Sequence, residues 1–222
     1  MSTNQKHIFL KSLFGGVIIL TSVLASAQEA LPRVSMKTSM GEIVLELYPE
    51  KAPKTVANFL NYVKKGHYNK TIFHRVIDNF MIQGGGMDAK LVEKATDNPI
   101  PLEAGLALEH ELKNDLGTIA MARTNDPNSA RAQFYINVNN NEFLNHQILP
   151  EGDPVQFMKN GEPITLPRSR ALIATAGYTP FGRVVEGWEV VEKIKAVKTQ
   201  EVSIHQNVPI KPVTIISMKL LK

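Results

Sequence analysis

The feature that most limits what this chain can fold into is its patterning: short apolar runs with a repeat of two, broken every few residues by glycine, proline or asparagine. Ile43, Leu45 and Leu47 alternate with Glu42, Val44 and Glu46. A strand turns successive side chains to opposite faces, so this run predicts a half-buried strand. Val34–Thr38 precedes it across Ser39-Met40-Gly41, which makes the two a hairpin. Further short strands are predicted at Thr71–Ile77, Phe80–Gln83, Thr118–Ala122, Gln133–Val138 and Val213–Leu220. The helical period occurs twice. Pro53 opens a stretch in which Val56, Phe59, Leu60 and Val63 share a face and Gly66 ends it. A second, starting near Glu186, buries Trp188, Val191 and Ile194. A parallel sheet needs a helix after each strand, so many strands with one early and one late helix predict a mainly β fold, a closed antiparallel barrel capped by helices.

Residues 1–27 have the form of a cleaved secretory signal peptide: Lys6 and Lys11 first, the apolar run Leu13–Leu24, then the small residues Ala25-Ser26-Ala27. On that reading residues 28–222 form one domain beginning near Gln28, with no stable membrane insertion once the signal is removed. The alternative, an uncleaved anchor, is disfavoured because the run is shorter than the ~20 residues a spanning helix needs. The formal charge of the chain is +4, and removing Lys6 and Lys11 leaves +2. Without a clustered basic face, that balance gives no case for a nucleic-acid partner. The sequence has no cysteine, which excludes disulfides, thiolate nucleophiles and Cys-ligated zinc. No surplus apolar stripe demands a partner subunit, so a monomer is expected. Residues 145–177 hold Pro150, Pro154, Pro163 and Pro167 with little sustained periodicity. They read as a long loop insertion, either functional or inert.

Familiar catalytic signatures are missing. There is no G-x-S-x-G elbow, no phosphate loop and no H-E-x-x-H, and Gly84-Gly85-Gly86 lacks the flanks of a dinucleotide site. His67, His74, His110, His146 and His205 are scattered, and no metal site or cofactor is predicted. A hydrolase built on His74 and Ser129 has no carboxylate at recognisable spacing to orient it. The segment Phe73–Gly85 is different. Arg75 sits among Phe73, Val76, Ile77, Phe80 and Met81, placing an always-charged five-donor fork on a strand that otherwise favours burial. Such a group must find acceptors. From this stretch alone, an internal ion pair and a functional cation are both open.

The run Phe73–Gly85 resembles the signature of the cyclophilin family, and the likeness continues in family order through Gly117–Ala122, Ala132–Val138, Glu142–Asn145 and Phe181–Gly187. It spans about Pro32 to Lys222, the long loop excepted. The resemblance implies an eight-stranded antiparallel barrel capped by two α-helices, with an active groove on its outer surface. It implies peptidyl-prolyl cis/trans isomerase activity on proline-containing segments. Arg75 and Gln83 match the catalytic positions; Phe80, Met81, Tyr135 and Leu144 match the proline pocket. His74, Ala122, Gln133, Phe143 and Tyr178 match further substrate-binding positions. Three aromatic positions depart from the common pattern: Tyr135 stands where phenylalanine is frequent, Phe143 for tryptophan and Tyr178 for histidine. The tryptophan is associated with tight cyclosporin binding, so weak cyclosporin binding is expected. Arg123 stands where asparagine is frequent, a further departure from the common pattern.

That chemistry suits the residue types. Rotation about an X-Pro bond loses amide resonance over a barrier of ~18–20 kcal/mol, with no bond broken and no nucleophile needed. A cationic donor that meets the prolyl nitrogen only when it is pyramidal favours the twisted state alone. The leader and the aromatic replacements resemble those of exported bacterial cyclophilins, so the expected setting is the periplasm, with secretion as the alternative and folding assistance as the role. The rival expectation is a chaperone or adaptor that holds proline segments with little turnover.

Overall fold

A computed structural model describes Met1, residues 30–159 and residues 161–221; the predicted signal peptide, Met1 apart, lies outside the described residues. Strands β1 (Arg33–Thr38) and β2 (Gly41–Leu47) make the expected hairpin, with Val34 opposite Leu45 and Met36 opposite Ile43. Those four side chains are fully buried, as period-two alternation requires. Helix α1 (Pro53–Lys64) starts on its proline, where the missing N–H costs no hydrogen bond, and buries Val56, Phe59, Tyr62 and Val63. After it come β3 (Thr71–Ile77), β4 (Met81–Gly84), the short helix α2 (Ala104–Glu109), β5 (Thr118–Met121) and β6 (Phe134–Asn137). A 3₁₀ turn at Glu142–Leu144 leads to β7 (Val155–Lys159), β8 (Glu162–Leu166) and α3 (Arg168–Ala174). The chain continues through β9 (Pro180–Glu186), α4 (Trp188–Lys195), β10 (Thr199–Val202), β11 (His205–Pro209) and β12 (Thr214–Leu220).

Eight strands close an antiparallel barrel in the order β1-β12-β3-β4-β6-β5-β9-β2. Closure leaves the barrel sheet itself without a free edge. The interior residues form one core with Phe59 and Tyr62 of α1 and Val191 and Ile194 of α4, so these two helices cap the barrel as expected. Two short helices, α2 and α3, join them, and two hairpins, β7–β8 and β10–β11, stand outside the barrel. The eighth barrel strand, β9, escapes the periodicity because Gly182 interrupts it. Gly182 lies so close to the backbone oxygen of Glu46 on β2 that a Cβ would collide with it.

The expectation of a loop at 145–177 is corrected. The segment holds the β7–β8 hairpin and α3, which share a small core of Val155, Phe157 and Ala171 with Leu149, Ile164, Leu166 and Ala174 against it. Each of its elements has seven residues or fewer, too few to display a period in sequence.

Candidate active site

The site starts with a fault in a ladder. Phe73 pairs with Gly84 and Arg75 with Gln83, so β3 carries one extra residue, His74, against β4. Without this bulge Phe73 and Arg75 would share a face. With it, Phe73 and Val76 both enter the barrel core while Arg75 turns outward and stays half-buried. Across the neighbouring strands Arg75 faces Gln83, Gln83 faces Tyr135, and Tyr135 faces Ala120. This row runs along the outside of the barrel.

An apolar cluster separate from the core grows on that row: Met81, Ala120, Tyr135 and Leu144 are buried, with Ile77, Phe80, Ala122 and Tyr178 packed on them. Within it lies a cavity of about 110 Å³, lined by Arg75, Phe80, Met81, Gln83, Ala122, Arg123, Tyr135, Leu144 and Tyr178. Its size suits one small ring. The Arg75 guanidinium carbon stands 6.0 Å from the Phe80 ring centroid. Among the described residues no carboxylate lies within 4.0 Å of Arg75, so the internal ion pair left open by the sequence does not form there. Gln83 Nε2 donates to Gln133 Oε1 at 3.0 Å, which fixes the Gln83 amide beside the cavity.

Most of the expected site residues therefore converge, and three stand next door. His74 and Gln133 line an adjoining cavity with Arg75, Gln83, Met87 and the tip of the β10–β11 hairpin. His74 is buried with no hydrogen-bond partner for Nδ1 among the described residues, and burial, with His205 and Arg75 adding to it, lowers its pKa to about 4. Phe143 is 61% exposed on the rim, its ring stacked on Phe80 at 5.5 Å. The Ser129 hydroxyl donates to the Asp126 carbonyl and accepts from Thr124 within one turn, so it has no part in a triad with His74. Among the described residues no group of three or more His, Asp or Glu side chains gathers to hold a metal, and no helix is long and apolar enough to cross a membrane. A larger hollow of about 830 Å³ between α1 and β12 gathers none of the motif residues.

Two contributors escaped the sequence. Arg123, noted only as a departure, walls the cavity: its guanidinium carbon sits 4.4 Å from the Tyr178 ring, and Nε and Nη2 donate to the Gly177 carbonyl at 3.0 and 2.9 Å. Asn114, fully buried, accepts from the Tyr135 hydroxyl at 2.8 Å and donates to the carbonyls of Leu144 and Tyr178, each at 3.2 Å. The signal for Asn114 was absent, because Lys113-Asn114-Asp115 reads as an ordinary polar turn.

Barrel, capping helices and outer groove together define a cyclophilin fold, and residues 33–220 match the family model described as "Cyclophilin type peptidyl-prolyl cis-trans isomerase/CLD". The chain belongs to this family and is an enzyme of the peptidyl-prolyl cis-trans isomerase class. It is 50% identical to the peptidyl-prolyl cis-trans isomerase cyp18 of Streptomyces antibioticus over 85% of this chain and 98% of the relative. It is 45% identical to peptidyl-prolyl cis-trans isomerase B of Escherichia coli over 83% of this chain and 97% of the relative. Among solved structures, a cyclophilin-type isomerase of Cryptosporidium parvum, studied in the presence of the dipeptide Ala-Pro, overlays with a TM-score of 0.61 at 23% identity, covering 86% of this chain and 99% of that one.

Proposed function

We propose that the enzyme turns X-Pro bonds with Arg75 as the transition-state donor and the Phe80, Met81, Tyr135 and Leu144 cavity as the proline holder. The observation that carries this is a guanidinium with no carboxylate partner among the described residues, lining a ring-sized cavity set in the outer apolar cluster. While the amide is planar the prolyl nitrogen has no free lone pair. As the bond twists, that nitrogen becomes pyramidal and accepts from Arg75. The interaction therefore exists only at the barrier top, and it lowers the barrier without tightening either ground state. Gln83, steadied by Gln133, holds the displaced carbonyl. The aromatic walls keep water out, which strengthens the charge–lone-pair attraction. Proline-containing segments of other proteins are the substrates, a reading in keeping with the Ala-Pro dipeptide present with the C. parvum relative.

The test is an isomerisation assay on an X-Pro peptide with the purified protein and its Arg75→Ala variant. Loss of one directed donor in a dry site costs about 10²–10³-fold in rate. The expected result is a fall of that size in kcat/KM with peptide affinity within about threefold of the original. Unchanged turnover would remove Arg75 from the mechanism, and no turnover in the unsubstituted protein would leave a holding chaperone instead.

The same reading extends to the cell. The pattern of residues 1–27 supports export and action in the periplasm as a monomeric folding assistant. Mass spectrometry of protein recovered from the periplasm should give an N-terminus at Gln28. Phe143 on the rim supports weak inhibition by cyclosporin, and nanomolar inhibition would contradict it.

A further inference from the structure

We infer that residues 145–177 extend the proline groove and select substrates carrying an apolar rather than a cationic side chain near the proline; this rests on the isomerase reading above. The segment leaves the groove just after Leu144 and re-enters it at Tyr178, two walls of the proline cavity. Its base is clamped. The Tyr178 N–H donates to the Leu144 carbonyl at 2.9 Å and the Gln147 N–H to the Thr175 carbonyl at 3.0 Å. Gly177 has φ +72°, and a Cβ there would run into the backbone of Asn145 and His146, so the entering and leaving strands pack backbone to backbone. Arg123 ties the same carbonyl, that of Gly177, to the cavity wall through two donors. The insertion is thus held in one place relative to Arg123 and Tyr178.

A second cavity, of about 390 Å³, opens between this insertion and the barrel. Arg123, Leu144 and Tyr178 line it as well as the proline cavity, so the two cavities adjoin across a shared wall. An extended chain advances roughly 3.3 Å per residue, so a polypeptide with its proline in the first cavity reaches the second within a few residues. Phe157 and Ile173 of the insertion and Phe143 of the rim supply its apolar surface, beside a polar lining of Asn125, Asn145, Gln147 and Thr175. Ile173 and Phe143 are 55% and 61% exposed, so covering them removes apolar area from water. Among the described residues its charged lining is cationic, Arg123 and Lys159, with no carboxylate. A leucine or phenylalanine from the substrate fits such a wall. A lysine meets like charge.

The experiment uses the full chain and a series of peptides with one Ala-Pro centre and Leu, Phe, Ser or Lys placed two to four residues to either side. On one flank, Leu and Phe should raise kcat/KM about tenfold over Ser, through KM rather than kcat, and Lys should lower it. Ile173→Asp, on an exposed position, should bring the Leu-to-Ser ratio close to one; Lys159→Glu should abolish the discrimination against Lys. Thermal unfolding of both variants verifies that each is folded. Equal kcat/KM whatever the flank, or preferences that survive both substitutions, would overturn the insertion's role and leave the isomerase mechanism standing. Absence of isomerisation with every peptide would overturn both.

Discussion

Asn114 has no exposed surface, yet its side chain joins Tyr135, Leu144 and Tyr178, three walls that arrive from different parts of the chain. Leaving buried partners unsatisfied costs about 1–3 kcal/mol per group. Asn114→Ala should therefore lower the urea midpoint and raise KM for an X-Pro peptide several-fold, with a smaller change in kcat. Adding Tyr135→Phe in that background should cost little more, since the hydroxyl has already lost its acceptor; steady-state kinetics of the double-mutant cycle checks this. His74 gives a pH signature. Its folded-state pKa is about 4 against an ordinary histidine value of 6.5, chiefly because burial disfavours the charged ring. Above 6.5 the ring is neutral folded or unfolded and contributes no pH dependence. As pH falls from 6.5 towards 4 the unfolded chain takes up a proton that the folded one resists, and stability declines by up to roughly 3 kcal/mol. His74→Gln should flatten that part of the stability curve, measured by urea unfolding at a series of pH values. At this scale the sequence marked Arg75 as anomalous, a cation in an apolar run. Which way it points was decided by the bulge at His74, and a bulge leaves no mark in residue order.

Among the elements, the β7–β8 hairpin with α3 stands on its own small core. Phe157 is 8% exposed within it, and a Phe→Ala change in a packed core costs about 3–5 kcal/mol, more than so small a unit can absorb. Phe157→Ala should release hydrogen-exchange protection of the β7 and β8 amides while barrel amides keep theirs. The hairpin β1–β2 and helix α1 were legible because their apolar positions recur over enough residues to show a period. Strand β9 and the elements within 145–177 were not, since glycine and proline break them into pieces shorter than one readable repeat. The β10–β11 hairpin was hidden because its strands have only four and five residues, and its tip, with His205, reaches the cavity beside Arg75.

For the whole molecule, the barrel is filled from its end by α1. Phe59 meets the rings of Tyr68, Phe134 and Phe181 at 5.1, 5.9 and 5.1 Å. Phe59→Ala removes the plug that these rings pack around. It should cost about 3–5 kcal/mol, a large share of a typical 5–15 kcal/mol total. Urea titration should show a lower midpoint with an unchanged slope. The residue order by itself determined the strand-rich class, the two capping helices and the set of motif residues, because alternation and helical spacing are local and each block is contiguous. Only the tertiary structure decided that Arg75 faces outward with no carboxylate partner among the described residues, that Asn114 and Arg123 brace the groove, and that the 145–177 segment folds against its rim. Those outcomes depend on barrel closure, which brings residues dozens of positions apart into contact and lets a single extra residue in one ladder choose the face.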